Sequence, residues 1–492
     1  MYLGIDLGTS EVKLLLLNPD GRIIATHGER LEISRPQNHW SEQNPEDWWA
    51  AANRAVQALS SKEPASFREI RAIGLSGQMH GAVLLDKEDQ VLRPAILWND
   101  TRSAAECKEM MERLPSLTQI AGNLAMPGFT APKVLWVKAN EPQIYERIAK
   151  VLLPKDYLRF RMTGGYVSDM SDAAGTLWLD VGKRDWSDEL LQLTGLTRNA
   201  MPSLVEGSAP SGTLSPQVAK LWGLNEKVIV AGGAGDNAAS AVGIGAVKAG
   251  DGFVSLGTSG VMFVVTDRFR PNPASAVHAF CHALPSRWHQ MTVMLSAASC
   301  LRWVTNLVGA TSEASLLDRI QAASENQLLR APLFLPYMSG ERTPHNDPYA
   351  RGVFFGLDHD TDAAVLGYAV LEGVAFGMLD GLQALTEAGT KIESLGLVGG
   401  GARSPFWAQL HATILGVPIR VLAGGEAGGA LGAARLGWLA DGGVESDVCT
   451  PPATVSTFKP VGRLRPALKE RYRRFRELYR SLKPMFLMSR GT

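Results

Sequence analysis

Gly4-Ile5-Asp6-Leu7-Gly8-Thr9-Ser10, near the start, and Val254-Ser255-Leu256-Gly257-Thr258-Ser259-Gly260, near the middle, end an apolar, strand-like run in the same Leu-Gly-Thr-Ser turn. One glycine turn is common. Two copies, each after an apolar run, point to a duplicated phosphate-binding architecture. Glycine lets the backbone approach an anion closely, and the hydroxyls and exposed N–H groups of the turn supply donors. The first copy also carries Asp6, a carboxylate placed where a phosphate-bound Mg²⁺ could use it.

Outward from the first turn, residues 2–6 and 12–18 read as strands. Pro19-Asp20-Gly21-Arg22 reads as a hairpin turn leading into a third strand over 22–26. A β-meander that begins on a phosphate turn is not the Rossmann pattern, in which a helix follows the first glycine loop at once. A helix is expected over 45–59, with Pro45 in its first turn, Glu46 and Asp47 at its positive end, and Trp48, Ala52, Ala55 and Leu59 on one face.

Three further strands each run into a polar segment: 70–76 into Gly77-Gln78-Met79-His80-Gly81, 95–98 into Asn99-Asp100-Thr101-Arg102, and 227–231 into Gly232-Gly233-Ala234-Gly235-Asp236-Asn237. Open α/β sheets place ligands at such strand ends. Asp236 also falls where a helix N-cap belongs, so its residue type alone leaves capping open. Small residues over 238–250 predict a tightly packed helix, and a strand over 252–255 opens the second half, with a boundary near 246–251. Later come an amphipathic helix over 362–388, a strand over 394–398 ending in Gly399-Gly400-Gly401-Ala402-Arg403-Ser404, and a small-residue helix from about Ala427. The tail, 464–482, is mostly basic, with Tyr472, Phe475 and Leu478 at helical spacing, as in a solvated helix with one docked face.

The bulk composition narrows the function. A chain of 492 residues favours two or three domains. Forty-nine basic residues balance 49 acidic ones, so no net field attracts nucleic acid. The start has no signal-peptide pattern, and no run approaches the roughly 20 apolar residues of a membrane span. Cys107, Cys281, Cys300 and Cys449 are scattered without a CxxC pair and read as buried thiols in a reducing compartment, the cytoplasm.

The Asp-Leu-Gly-Thr-Ser start, the Gly-Asp-Asn turn at 235–237, the second Gly-Thr-Ser and the late Gly-Gly-Gly-Ala-Arg-Ser together resemble the FGGY carbohydrate kinases. The stretches 128–136 and 352–357 look like that family's signature regions. The resemblance implies an α/β fold of two actin-like ATPase (ribonuclease H-like) domains with a cleft between them. Its expected divisions are a sugar-binding domain over 1–246, a nucleotide-binding domain over 247–440 and a C-terminal extension over 441–492. Residues 40–45, 77–81, 96–102 and the segments Leu335-Pro336-Tyr337 and Gly340-Glu341-Arg342-Thr343-Pro344 are similar to the bacterial xylulokinase pattern within it.

That likeness implies phosphorylation of D-xylulose by ATP with Mg²⁺. Asp236 would be the base that takes the sugar hydroxyl proton, and Asp6 would order the metal. Gln78, Met79, His80, Trp98, Asn99, Asp100, Arg102 and Asn237 would serve the sugar. Gly8, Thr9, Ser10, Lys13, Gly257, Thr258 and Ser259 would serve the phosphates, with Gly400, Gly401, Ala402 and Ser404 beneath the adenosine. Partners would be a small sugar and ATP, with no nucleic acid and no membrane; a homodimer is left open. Glu11 stands where the family usually has glycine. The competing readings are a family kinase for ribulose, a deoxy-ketose, gluconate or glycerol, and, more remotely, an actin-like polymer or chaperone ATPase, neither of which needs Gln78-Met79-His80 or Trp98-Asn99-Asp100.

Overall fold

Strands Tyr2–Leu7, Glu11–Leu17 and Ile23–Arg30 form an antiparallel meander. Ala72–Gly77 then pairs parallel to the first strand and Ile229–Ala231 parallel to that, with Pro210–Thr213 antiparallel at the edge. The second sheet repeats this order. Gly252–Leu256, Gly260–Thr266 and Trp288–Met294 make the meander, and Leu395–Val398 and Ile419–Leu422 continue it in parallel. His278–Cys281 and Thr454–Phe458 close its two edges. The two Gly-Thr-Ser turns thus join the first and second strands of their sheets, at topologically equivalent points. The structure is a computed structural model that describes residues 1–423 and 428–488.

Both faces of the first sheet are covered, and its sequence reflects this. Val12, Leu14 and Leu16 pack with Trp48, Ala52 and Leu59 of helix Pro45–Lys62, while Tyr2, Leu15 and Leu17 on the other face meet Ala430 and Ala434. Those last two residues belong to helix Gly428–Ala440, which follows the second sheet in sequence but lies on the first. The first half reaches back at the end of its own helix. Helix Asp236–Gly243 follows the first sheet, and Ala241 at its end, with Ile244 and Ala246, packs on Phe253, Phe263 and Val398 of the second. The two crossed helices also pack on each other. A Cβ on Gly432 would lie 1.7 Å from the Ala239 carbonyl oxygen and one on Gly243 2.2 Å from that of Gly428. Against the sheet, a Cβ on Gly4 would lie 2.0 Å from the Ala430 oxygen and one on Gly74 1.7 Å from that of Ala433. Any side chain at these positions forces backbone apart.

Several elements differ from their sequence expectation. The third strand extends to Arg30 because pairing with Glu11–Leu17 holds its polar residues. The strand expected over 95–98 is only Ala95–Ile96, since Trp98 turns out toward solvent at 48% exposure. The helix expected over 238–250 ends at Gly243, and Gly245 at φ +71° turns the chain away. Helix Ala363–Glu387 is buried nearly all round rather than amphipathic. It is long and apolar enough to cross a membrane by length and composition, but 83% of its most apolar window is packed inside the protein. The start expected near Ala427 lies outside the described residues. In the C-terminal extension, Thr454–Phe458 adds a strand to the second sheet, and helix Arg465–Met488 docks the expected face of Tyr472, Phe475 and Leu478 into its core.

The glycine contacts make a direct prediction. Gly432→Ala should destabilise the protein by about 1–3 kcal/mol, because no flexible side chain can yield. Gly462→Ala, where a Cβ meets open space, should stay within about 0.5 kcal/mol. Urea unfolding of both variants checks this; an unchanged midpoint for Gly432→Ala contradicts the close packing.

Candidate active site

The parallel strands of the first sheet end on one edge, and the chemistry gathers there. Asp6 lies on Tyr2–Leu7 in register with Lys13 and Ser76. One oxygen of its carboxylate, Oδ1, is buried with no hydrogen-bond partner, and burial raises its pKa against the opposing effects of Ser76 and Lys13. The first turns of both crossed helices converge on this point. A Cβ on Gly429 would lie 2.6 Å from Asp6 Oδ2, so the N-terminal end of helix Gly428–Ala440 faces the carboxylate.

Asp236 opens the other helix. It is the first helical residue, not the cap: Gly235 takes the N-cap position, and the Asp236 carboxylate accepts from Asn237 N at 2.7 Å and Nδ2 at 2.8 Å. Burial, and next the charge of Asp6, push its pKa up to about 6. The pair is thus arranged as one carboxylate poised near neutrality beside another with an unsatisfied oxygen. Such a site suits proton acceptance next to a bound cation, and the orphaned Oδ1 of Asp6 is the atom that fits one.

Met79 and His80 follow strand Ala72–Gly77, whose end pairs with Ala234-Gly235 just before Asp236. Two glycines make room for them: a Cβ on Gly235 would lie 2.8 Å from Met79 Sδ, and one on Gly175 2.7 Å from His80 Nδ1. His80 holds φ +73°, rare for a residue with a side chain. Three contacts keep it there: its carbonyl accepts from Lys133 Nζ (2.9 Å) and Thr130 Oγ1 (3.1 Å), and its Nδ1 lies 2.6 Å from the Gly175 oxygen. A carbonyl only accepts, so Nδ1 carries the proton and Nε2 remains an acceptor. Burial drives the His80 pKa down to about 3, so the ring is neutral at physiological pH. Trp98 stands opposite as an exposed wall, its indole N–H donating to Thr9 Oγ1 at 3.0 Å.

Other expected site residues prove to be framework. Gln78 is buried; its amide donates to Gln43 Oε1 (3.1 Å) and accepts from Thr9 Oγ1 (3.2 Å). That leaves Ser10 as the exposed hydroxyl of the first turn. Asp100 and Arg102 do not reach the pocket. Their side chains are 0% and 1% exposed and pair with each other at 2.7 Å; Asp100 accepts from Ser41 N, and the guanidinium pairs with Glu42 and stacks 3.6 Å over Trp40. They staple segment 40–42 to the Trp98 loop, with both side chains turned away from solvent. Asn99 is half-buried, with Oδ1 unpartnered. The Asn237 amide is committed to Asp236. Glu11 bends over Gly28, two register pairs further from the turn, where a Cβ would lie 1.6 Å from its Oε1.

On the second sheet, Thr258 and Ser259 are exposed in the equivalent turn, and Gly257 N donates to Ser259 O at 3.0 Å. Gly399, at φ +88°, lies on Leu256 at that strand's end, and Gly400 presents open backbone, where a Cβ would meet nothing within 4 Å. Ser404 caps helix Pro405–Leu415 through Trp407 N, and Ala402 packs on the second core, so both support the loop.

Sequence reasoning missed the residues that hold this geometry. Lys133 was legible only as a charged residue in an apolar helix. Phe280 comes from the second half and packs against Phe129 and His80, ring centroids 6.1 and 6.3 Å apart, and no local pattern links residues so distant in sequence.

Residues 1–243 match the N-terminal domain, and residues 252–440 the C-terminal domain, of the FGGY family of carbohydrate kinases. The chain is 52% identical over 487 residues to the xylulose kinase of Escherichia coli K12, covering 99% of this chain and all of that one. It is 54% identical over 441 residues to the xylulose kinase of Klebsiella pneumoniae, covering 89% of this chain and 90% of the relative. The crystal structure of a xyloylose kinase from Brucella ovis superposes with a TM-score of 0.95 at 53% identity, covering 98% and 99% of the two chains.

The electrostatic coupling at the site is measurable. Carboxyl-carbon NMR should show Asp236 titrating near pH 6. In Asp6→Asn that midpoint should fall but stay above the usual carboxylate value near 4, because burial is the larger cause. A midpoint that does not move separates the two carboxylates.

Proposed function

The chain belongs to the FGGY family of carbohydrate kinases, and on that premise we propose that it transfers the γ-phosphoryl group of ATP to the terminal hydroxyl of D-xylulose, giving D-xylulose 5-phosphate and ADP. The observation that carries the reading is Asp236, a carboxylate raised to about 6 by burial and Asp6, at the strand end paired with the one that runs into Met79 and His80. A sugar hydroxyl is a weak nucleophile; a carboxylate in hydrogen-bond reach takes its proton as the phosphoryl group moves. His80 and Trp98 suit a polyol, one offering a directional acceptor and the other an apolar wall.

ATP would lie between the two Gly-Thr-Ser turns, its adenosine over Gly400. Asp6 would hold Mg²⁺ through its unpartnered oxygen, and the ion, when bound, offsets charge on the β- and γ-phosphates. The crossed helices form the natural hinge, and closing the cleft excludes water from the transfer. A cytoplasmic setting accords with four cysteines that are all free and buried.

Asp236→Asn should lower kcat by about 10²–10⁴-fold, with D-xylulose affinity by calorimetry within about threefold; full activity would sink the assignment. In the wild type, kcat/KM should fall as pH drops through about 6, where Asp236 gains the proton it must lack. Coupled ADP release across D-xylulose, ribulose, a deoxy-ketose, gluconate and glycerol tests the substrate. D-xylulose should lead by about tenfold or more in kcat/KM, and a different leader overturns the sugar assignment.

A further inference from the structure

Behind the Asp236 turn lies a cluster of five charged side chains with essentially no solvent exposure: Lys155, Asp156, Arg159, Asp169 and Asp172. Three carboxylates this close could hold a metal ion, but the cluster supplies its own cation. Lys155 Nζ lies 2.6 Å from Asp156, 2.6 Å from Asp169 and 3.1 Å from Asp172. Arg159 pairs with Asp156 at 2.8 Å. Burial lifts the Asp172 pKa well above the usual carboxylate range. Burying so much charge rarely stabilises a fold relative to apolar packing, so its use lies in the geometry it fixes.

That geometry reaches both ends of the turn bearing Asp236. Arg159 donates to the Gly232 carbonyl at the turn's start. Ser171 takes its end: the hydroxyl donates to Asp169 Oδ2 at 2.5 Å and accepts the Gly235 N–H at 3.1 Å. A hydroxyl has one proton, so donating it to Asp169 turns a lone pair toward Gly235. The same helix, Pro154–Thr163, backs the sugar loop, where Pro154 would lie 2.5 Å from a Cβ on Gly81 and Lys155 3.0 Å from one on Gly77.

We infer that Ser171 is a positioning residue for the phosphoryl transfer: oriented by Asp169 and Lys155, it holds the Gly235 N–H and so fixes the direction in which the Asp236 carboxylate projects. The inference rests on Asp236 being the base. Sequence inspection passes Ser171 over, since Asp169-Met170-Ser171-Asp172 reads only as a capped helix start.

The test is Ser171→Ala, measured beside Asp236→Asn in the full chain. Sites competent to bind are counted by D-xylulose calorimetry, so kcat refers only to folded enzyme. Ser171→Ala should lose about tenfold or more in kcat per site while KM for D-xylulose stays within about threefold. Wild-type kcat per site, or a loss carried by KM rather than by kcat, overturns the inference. A fully active Asp236→Asn removes the premise instead, whereas an inactive Asp236→Asn beside an unaffected Ser171→Ala removes only the positioning role.

Discussion

Two helices that approach as closely as backbone atoms allow organise this protein. Asp236–Gly243 and Gly428–Ala440 pack on each other between the two sheets, the second lying on the first sheet and the end of the first reaching the second, and glycine or alanine stands at their closest contacts. A side chain larger than hydrogen at Gly432 or Gly243 would part them, and one at Gly4 or Gly74 would lift the second helix from the first sheet. Close approach does more than join the halves. It brings both helix N-termini to the edge where Asp6 and Asp236 sit, so the positive ends of two helix dipoles face the place where phosphate charge would gather.

The two sheets then divide the chemistry along equivalent strand ends. On the first, the loops after Ala72–Gly77 and Ile229–Ala231 carry Met79, His80 and Asp236. On the second, the loop after Leu395–Val398 carries Gly399 to Gly401. One sheet presents polar side chains at its strand ends, while the other presents bare backbone. Much of the first sheet's edge is held by groups turned away from it: Lys133 under His80, Gln43 under Gln78 and Thr9, and the Asp100–Arg102 pair under Trp98. The buried charges behind Asp236 follow the same logic.

The sequence was most informative where a local rule has one physical solution. A glycine-hydroxyl turn after an apolar run, repeated, predicts a duplicated sheet, and the meander, the Pro45 helix and the strand ends at Gln78, Gly232 and Gly399 all follow from patterns within a dozen residues. Asp6, His80 and Asp236 stood out because they sit at those strand ends. The inward turn of Asp100 and Arg102 toward each other was not legible, because residue type reveals hydrogen-bonding capacity but not the direction a side chain takes. The contacts of Phe280 with His80 and of Ser171 with Gly235 span 200 and 64 positions, and only the folded chain brings them together.

The central claim is geometric: Asp236 is the group that meets the hydroxyl to be phosphorylated. A crystal structure with D-xylulose and a non-hydrolysable ATP analogue tests it most directly. The terminal hydroxyl is expected within about 2.6–3.2 Å of the Asp236 carboxylate, with the γ-phosphate on its far side, between the Ser10 and Ser259 turns. A terminal hydroxyl that faces away from Asp236 and finds another base would contradict the account.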